Sequence, residues 1–266
     1  MMDSCMDISL ANIHLRLRFS DASLCRRCAT VFGSSPGGRR TSETASAVLD
    51  VRTNEAQPSH SSTSLPLDGY GEYNGVFDPA TDHGFVVLTG SSPAEALANC
   101  VRGLCSTLVF SNGGLVLHAA CLAKDSHAWL FAGPSGAGKS TICDLSPQHT
   151  MASDDLTAVT EHDEGFRAWG LPDALGPYEI KGVFVLVQDT ENSIVPLTNA
   201  KGVAKALALP RGESRPDIIA GTLAILDRLT QHVPVMELHF RKDPSFWECV
   251  LGSSGKEQRA EEDGQY

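Results

Sequence analysis

Basic residues are scarce in this chain, which has 21 lysines and arginines against 32 aspartates and glutamates and a net charge of −11. This acidic balance argues against the nucleic-acid backbone as the main partner, because binding a polyanion requires clustered positive charge. No apolar run approaches the roughly 18 residues of a membrane span, and the polar N-terminus lacks the apolar core of a secretory signal. We therefore expect a cytoplasmic protein without a membrane partner.

The chain also lacks a complete set of cysteine ligands for zinc, although it contains eight cysteines. Only Cys25 and Cys28 have the spacing of a metal or redox pair, and no second such pair or neighbouring histidine completes a site. Cys121 and Cys143 lie in apolar segments, which is typical of small core residues. We expect reduced, structural thiols.

The most informative motif is a glycine-rich loop between an apolar run of strand length, at 127–132, and a plausible first helical turn at 142–145. Strand, glycine-rich loop and helix in this order predict a phosphate-binding loop, in which backbone amides surround phosphate oxygens. Lys139 is expected to reach the β- and γ-phosphates of ATP, and the Ser140 hydroxyl to bind Mg²⁺. The predicted nucleotide-binding residues are Gly133, Pro134, Ser135, Gly136, Ala137, Gly138, Lys139, Ser140 and Thr141.

A phosphate-binding loop needs a carboxylate partner for the metal, and Asp154 and Asp155 follow the loop at the start of an apolar run. One carboxylate would bind Mg²⁺ while the other accepts a proton from a substrate hydroxyl or positions a water molecule. Strand alternation would direct the two side chains to opposite sides. We assign Asp154 as the base and Asp155, together with Ser140, as the metal partner.

His118 is a third candidate, in the middle of an apolar strand that is expected to form a hairpin with the strand leading into the loop. A single histidine in such a run is more often a hydrogen-bonded core residue than a functional one. Its role therefore depends on what lies beside it in the fold.

Taken together, Leu117-His118-Ala-Ala, the glycine-rich loop and Ser153-Asp154-Asp155 resemble the kinase domain of HPr kinase/phosphorylase and its shorter relatives. The resemblance covers roughly residues 90–252. It implies a compact P-loop α/β fold like that of phosphoenolpyruvate carboxykinase, MgATP in the loop, a catalytic aspartate, and His118 near the phosphate site. Glu179-Ile-Lys-Gly182 only partly matches the family signature, with Lys181 in place of arginine, so neither the phosphorylase activity nor HPr as substrate is implied.

Other classes with similar loops lack support in this sequence. ABC-type ATPases need a Leu-Ser-Gly-Gly-Gln-type signature, and GTPases need Asn-Lys-x-Asp; both motifs are absent. Guanylate-kinase-like enzymes carry the loop at the extreme N-terminus, not after a long preceding segment. We expect an ATP-dependent phosphotransferase that acts on a hydroxyl of a protein, a peptide or a small molecule. A regulatory nucleotide-binding protein or an ATPase without transfer is the alternative.

The pattern of elements predicts an α/β protein with a smaller N-terminal α+β region. The proposed division is 1–90 for that region, 91–252 for the P-loop kinase-type domain and 253–266 for a disordered acidic tail. Whether the chain forms a homo-oligomer is left open. The expected helices are a capped one starting at Ser92-Pro93, and others over 199–208, 216–229 and 244–251. The expected strands include 13–19, 47–51, 85–88, 115–122, 150–159, 165–169, 183–187 and 233–240, and loops are expected at 33–46 and 54–64.

Overall fold

The computed structural model of the protein describes residues 4–10, 13–32, 47–53, 64–69, 71–163, 165–171, 175–197 and 216–254. The architecture is mixed α/β, and β-sheet is its dominant component. The chain divides into two compact units, Met1–Leu108 and Val109–Tyr266. This division lies later than the boundary after residue 90 that we predict from the sequence. The predicted loop at 33–46 and helix at 199–208 lie outside the described residues, as do the loop predicted at 54–64, apart from Ser64, and the tail predicted at 253–266, apart from its first two residues. Those two residues are the end of the last helix.

The first unit contains a six-stranded sheet in the order β1-β2-β3-β6-β5-β4. Its strands are β1 (Cys5–Leu10), β2 (Ile13–Phe19), β3 (Ala47–Thr53), β4 (Leu65–Asp68), β5 (Tyr73–Asp78) and β6 (His83–Leu88). The three central strands β2, β3 and β6 are parallel, and the outer pairs are antiparallel. The strand predicted at 13–19 is confirmed as β2, and its residues alternate in burial, since Leu15 and Leu17 are fully buried while Arg16 and Arg18 are not.

Two helices belong wholly or mostly to this unit. Helix α1 (Ala22–Ala29) begins after Asp21, whose carboxylate accepts a hydrogen bond from the Leu24 amide at 2.8 Å. It buries Cys25 and Cys28, and burial raises the pKa of Cys28 to about 11, which favours the neutral thiol. No two described cysteines form a disulfide.

Helix α2 (Pro93–Ser111) starts after Ser92, as predicted. Residues spaced three or four apart along it are all buried, namely Leu97, Val101, Leu104 and Leu108. The boundary between the two units lies within this helix, after Leu108. None of the described helices combines the length and the apolar character needed to cross a membrane.

The second unit contains a nine-stranded sheet with the path β10-β8-β9-β13-β12-β11-β7, to which β15 and β14 add beside β13. Its strands are β7 (Leu115–Leu117), β8 (Ala119–Lys124), β9 (His127–Ala132), β10 (Thr150–Ser153), β11 (Thr157–His162), β12 (Gly165–Gly170), β13 (Leu175–Gln188), β14 (Ser193–Pro196) and β15 (Val235–Phe240). Strands β9, β13 and β15 are parallel neighbours, so their carboxyl ends meet at one edge. The predicted hairpin between β8 and β9 is confirmed.

Two predicted strands of this unit are each split in two. The run 115–122 forms β7 and β8, which are separated by His118, and the run 150–159 forms β10 and β11, which are separated by Asp154, Asp155 and Leu156. Strand β7 pairs with β11 and β8 pairs with β10, so the two ends of the sheet path come back together and the sheet closes on itself. Each interruption is a local break in a paired ladder, which hydrophobic patterning does not reveal.

Glycine is required where strands β12 and β10 of this curved sheet pass close to each other. A Cβ atom at Gly170 on β12 would lie 1.9 Å from the carbonyl oxygen of Ala152 on β10. Such a contact is far inside van der Waals range, so a larger residue would force the two strands apart. Gly170 therefore allows the closure that brings the two strand interruptions together.

Helices cover both faces of the second sheet. They are α3 (Lys139–Asp144), α4 (Pro216–His232) and α5 (Phe246–Ser254). Alternate residues of β9 point to different cores: Leu130 packs in the cluster that includes Leu226 and Leu229 of α4, whereas Phe131 packs in the cluster that includes α3 and α5 residues. Helix α4 extends beyond its predicted end, and α5 begins and ends later than predicted.

Candidate functional site

The glycine-rich loop lies between the buried end of β9, at Ala132, and the start of α3, at Lys139. Its backbone requires two glycines, because φ is +84° at Gly136 and +110° at Gly138, a region that side chains disfavour. At Gly138 there is also no room, since a Cβ atom would lie 2.6 Å from Cζ of Phe240 at the end of β15. The predicted order of strand, loop and helix is therefore confirmed, with two of its glycines explained.

The loop leaves several backbone donors without partners. The amides of Gly138, Lys139 and Ser140 find no hydrogen-bond acceptor among the described residues, while the Gly138 carbonyl already accepts from Ile142 at 2.9 Å. These are the donors that a helix start cannot satisfy internally. Consecutive unpaired amides beside a helix start form a concavity with positive potential, which favours an anion such as phosphate.

Lys139 places a cation against this loop. Its side chain is largely buried, and its Nζ donates to the carbonyl oxygens of Gly133 at 2.9 Å and Pro134 at 3.5 Å. The same Nζ lies 3.9 Å from Oδ1 of Asp155. The lysine charge is thus held over the loop, between its backbone and a carboxylate.

Asp154 and Asp155 lie in a bend between β10 and β11, not on a strand as predicted. The bend is organised by the buried Ser153, whose Oγ accepts from the amides of Asp155 at 3.3 Å and Leu156 at 3.1 Å and donates to the Leu156 carbonyl at 2.6 Å. Because a hydroxyl that bonds the following backbone competes with the strand ladder, the strand ends here. Strand alternation therefore cannot assign roles to the two aspartates.

His118 lies opposite this bend, in the break between β7 and β8. Leu117 pairs with Thr157 on one side of the break and Cys121 pairs with Ser153 on the other, so the two interruptions face each other. His118 Nε2 and Asp155 Oδ1 form a hydrogen bond, in which the carboxylate accepts. The imidazole is 30% exposed, so His118 is a surface-accessible partner of the aspartate and not a core histidine.

Asp154 occupies a different environment. It is exposed and makes no hydrogen bond or ion pair within the described part of the chain. Its charge acts on Cys143 of α3, where burial first and Asp154 second raise the thiol pKa to about 11. The structure thus brings together His118, Asp155 and Lys139, and it leaves Asp154 beside this group without a direct contact.

The segment Glu179–Gly182 does not contribute to this group. Glu179 pairs with His127 at the start of β9, whereas the loop follows the end of β9. The Nζ of Lys181 contacts the Glu179 carboxylate, and His127 Nε2 lies 3.6 Å from the other carboxylate oxygen. The Lys181 ammonium and the Glu179 carboxylate therefore offset each other at the strand end opposite the loop.

Two residues at the site escape the sequence reasoning. Phe240 packs beneath Gly138, and the side chain of Gln188 donates to the carbonyl of Gly136 at 2.8 Å. The sequence does mark both residues as the ends of apolar strands. The parallel pairing that aligns these strand ends with the loop, however, is visible only in the fold.

The chain was compared with protein-family models and with curated proteins, and neither comparison returned a match. Within the described residues no group of three or more histidine, cysteine, aspartate or glutamate side chains forms a metal cluster.

Proposed function

We propose that this protein is an ATP-dependent phosphotransferase that transfers the γ-phosphate to a hydroxyl group. One observation carries the proposal: the unpaired loop amides, the Lys139 ammonium and the Asp155 carboxylate with its His118 partner converge in one place. The loop amides and the Lys139 ammonium supply hydrogen-bond donors and positive charge for a polyphosphate. The Asp155 carboxylate can accept the proton of an attacking hydroxyl. The resemblance to HPr kinase-type domains of the P-loop fold supports the same conclusion.

The donor set fits Mg²⁺ as well as ATP. Ser140 is exposed, its hydroxyl has no hydrogen-bond partner within the described residues, and the Asp155 side chain is 58% exposed. Both offer hard oxygen ligands, and Mg²⁺ is commonly held by one or two such groups together with substrate phosphates and water. Ser140 would hold the ion together with one carboxylate of the Asp154–Asp155 pair, and the other carboxylate would stay free to accept a proton. When bound, Mg²⁺ would neutralise charge on the phosphate oxygens.

The chain's own residues account for the rest of the reaction. The acceptor oxygen attacks the γ-phosphorus in line, the new O–P bond forms as the bond to the β–γ bridging oxygen breaks, and ADP leaves. The acceptor proton passes to a carboxylate. Asp155 suits this role because His118 holds it, whereas no described residue orients Asp154. Lys139 and the loop amides stabilise the negative charge on the transferred group.

A binding and transfer experiment tests the proposal. Lys139→Met removes the ammonium at the loop, and we expect it to weaken MgATP binding at least about tenfold, since a charge-assisted contact contributes about 1.5–3 kcal/mol. Lys181→Met is the matched control, because Lys181 pairs with Glu179 at the other end of the strands. Calorimetry should separate the two variants. Equal MgATP affinity in the wild type and Lys139→Met would refute the assignment.

Transfer is then measured with γ-labelled ATP and candidate protein, peptide and small-molecule acceptors. A labelled product that requires Asp155 supports the phosphotransferase. Tight MgATP binding with no labelled product from any acceptor would instead support the nucleotide-dependent regulator or ATPase.

A further inference from the structure

Strand β13 extends past its neighbour β9 towards the tip of the glycine-rich loop. In the parallel pairing of these strands Val185 lies opposite Ala132, the last residue of β9, and β13 continues to Gln188. Three further residues at the rise of a parallel strand add roughly 10 Å. This extra length brings Gln188 to Gly136, and its Nε2 donates to the Gly136 carbonyl oxygen at 2.8 Å.

The bond fixes one peptide group of the loop from both sides. The carbonyl of Gly136 accepts from Gln188, and the amide of the same peptide group, on Ala137, donates to the Pro134 carbonyl at 3.1 Å. A peptide group is planar, so holding both of its ends sets its orientation. The next amide along the chain, on Gly138, is the first of those left free for an anion.

Gln188 is itself attached to a braced turn. The amide of Asp189 donates to the Phe240 carbonyl at 3.0 Å, and the Asp189 carboxylate accepts from His239 Nδ1 at 3.0 Å. The Asn192 side chain accepts from the Arg241 amide at 2.8 Å. The turn is therefore tied to the end of β15, the same strand end whose Phe240 supports Gly138.

We propose that Gln188 is a positioning residue that holds the loop tip in the conformation that binds nucleotide phosphates. This inference rests on the proposed nucleotide binding and adds a residue that is not part of the loop motif. Gln188 acts through the Gly136 peptide group, because the side-chain Nε2 of Gln188 already donates to the Gly136 carbonyl. Without it, the glycine-rich tip would sample other conformations and the free amides would no longer converge.

Two measurements on the full chain test the proposal, with Gln188→Ala as the main variant. Gln231→Ala is the matched control, because Gln231 is also exposed and donates a single side-chain bond, to Asp227 on α4 at 3.1 Å. In the nucleotide-free protein, amide hydrogen exchange of peptides covering 133–141 should be faster in Gln188→Ala and unchanged in Gln231→Ala. The MgATP dissociation constant should rise about three- to tenfold in Gln188→Ala alone, as expected for one hydrogen bond.

Two further variants separate the hydrogen bond from general packing. Gln188→Glu has the same size but can only accept, so it should exchange at least as fast as Gln188→Ala. Gln188→Lys can still donate to the Gly136 carbonyl, so it should keep loop exchange close to that of the wild type. If Gln188 only supported the fold, Gln188→Ala would change the thermal stability, but loop exchange would not depend on whether the side chain at position 188 can donate a hydrogen bond.

The outcomes distinguish this inference from the proposed function. If the wild type binds MgATP and Gln188→Ala shows unchanged loop exchange and affinity, the positioning role is overturned while the proposed function stands. If the wild type does not bind MgATP, both are overturned.

Discussion

Gly138→Ala is the substitution whose cost can be worked out most directly from the structure. The alanine would have to adopt φ near +110°, where an L-residue is strained, and its methyl carbon would lie 2.6 Å from Cζ of Phe240. Phe240 cannot move away easily, because it is fully buried and packs against Phe246 with ring centroids 6.4 Å apart. We therefore expect both backbone strain and overpacking.

The magnitude follows from these two terms. A left-handed L-residue costs about 1–2 kcal/mol, and forcing extra volume into a packed core costs about 1–3 kcal/mol. Gly138→Ala should therefore reduce the unfolding free energy by roughly 2–5 kcal/mol. Gly136→Ala is the matched control, since its φ of +84° imposes strain while no atom lies within 4 Å of the added Cβ. It should lose only about 1–2 kcal/mol.

Urea unfolding followed by tryptophan fluorescence measures these values for the relevant unit. The chain has 3 tryptophans, Trp129, Trp169 and Trp247, and all belong to the second unit. In a Phe240→Leu background the ring atoms that meet the new methyl group are gone, so the penalty of Gly138→Ala should shrink towards that of Gly136→Ala. Equal losses for the two alanine variants, or no change in the Phe240→Leu background, would refute the steric argument.

Three further predictions concern charged groups. Asp155→Asn should lower phosphotransfer about 10²- to 10⁴-fold in a steady-state assay and Asp154→Asn much less, since only Asp155 contacts His118; the reverse order would favour Asp154 as the base. His118→Ala should lower kcat more than it raises the ATP dissociation constant, and equal effects would indicate a binding role. Burial, and secondarily Lys124, lowers the pKa of His149, whose ring stacks on Trp247. As the pH falls, His149 is therefore protonated in the unfolded chain before it is protonated in the folded chain. The unfolding free energy should consequently fall as the pH drops below about 6.5. Urea titrations of His149→Phe should not show this pH dependence.

The amino-acid sequence by itself determined the local parts of this protein. The glycine-rich loop between β9 and α3 can be recognised from neighbouring residues alone, because the positive φ at Gly136 and the unpaired amides at the start of α3 belong to one short segment. The alternation of β2 and the start of α2 after Ser92 are local in the same sense. Periodicity and capping chemistry act over a few residues, so a single sequence contains them.

Tertiary structure decided how the functional residues meet. His118 and Asp155 face each other because two paired strands are interrupted at the same level. The position of these interruptions depends on the Ser153 hydroxyl and on closure of the sheet past Gly170. Gln188 reaches the loop only because β13 runs parallel to β9 and extends beyond it. Hydrophobic patterning marks which residues are buried, but pairing partners and register arise from long-range contacts, and these set which side chains share the site.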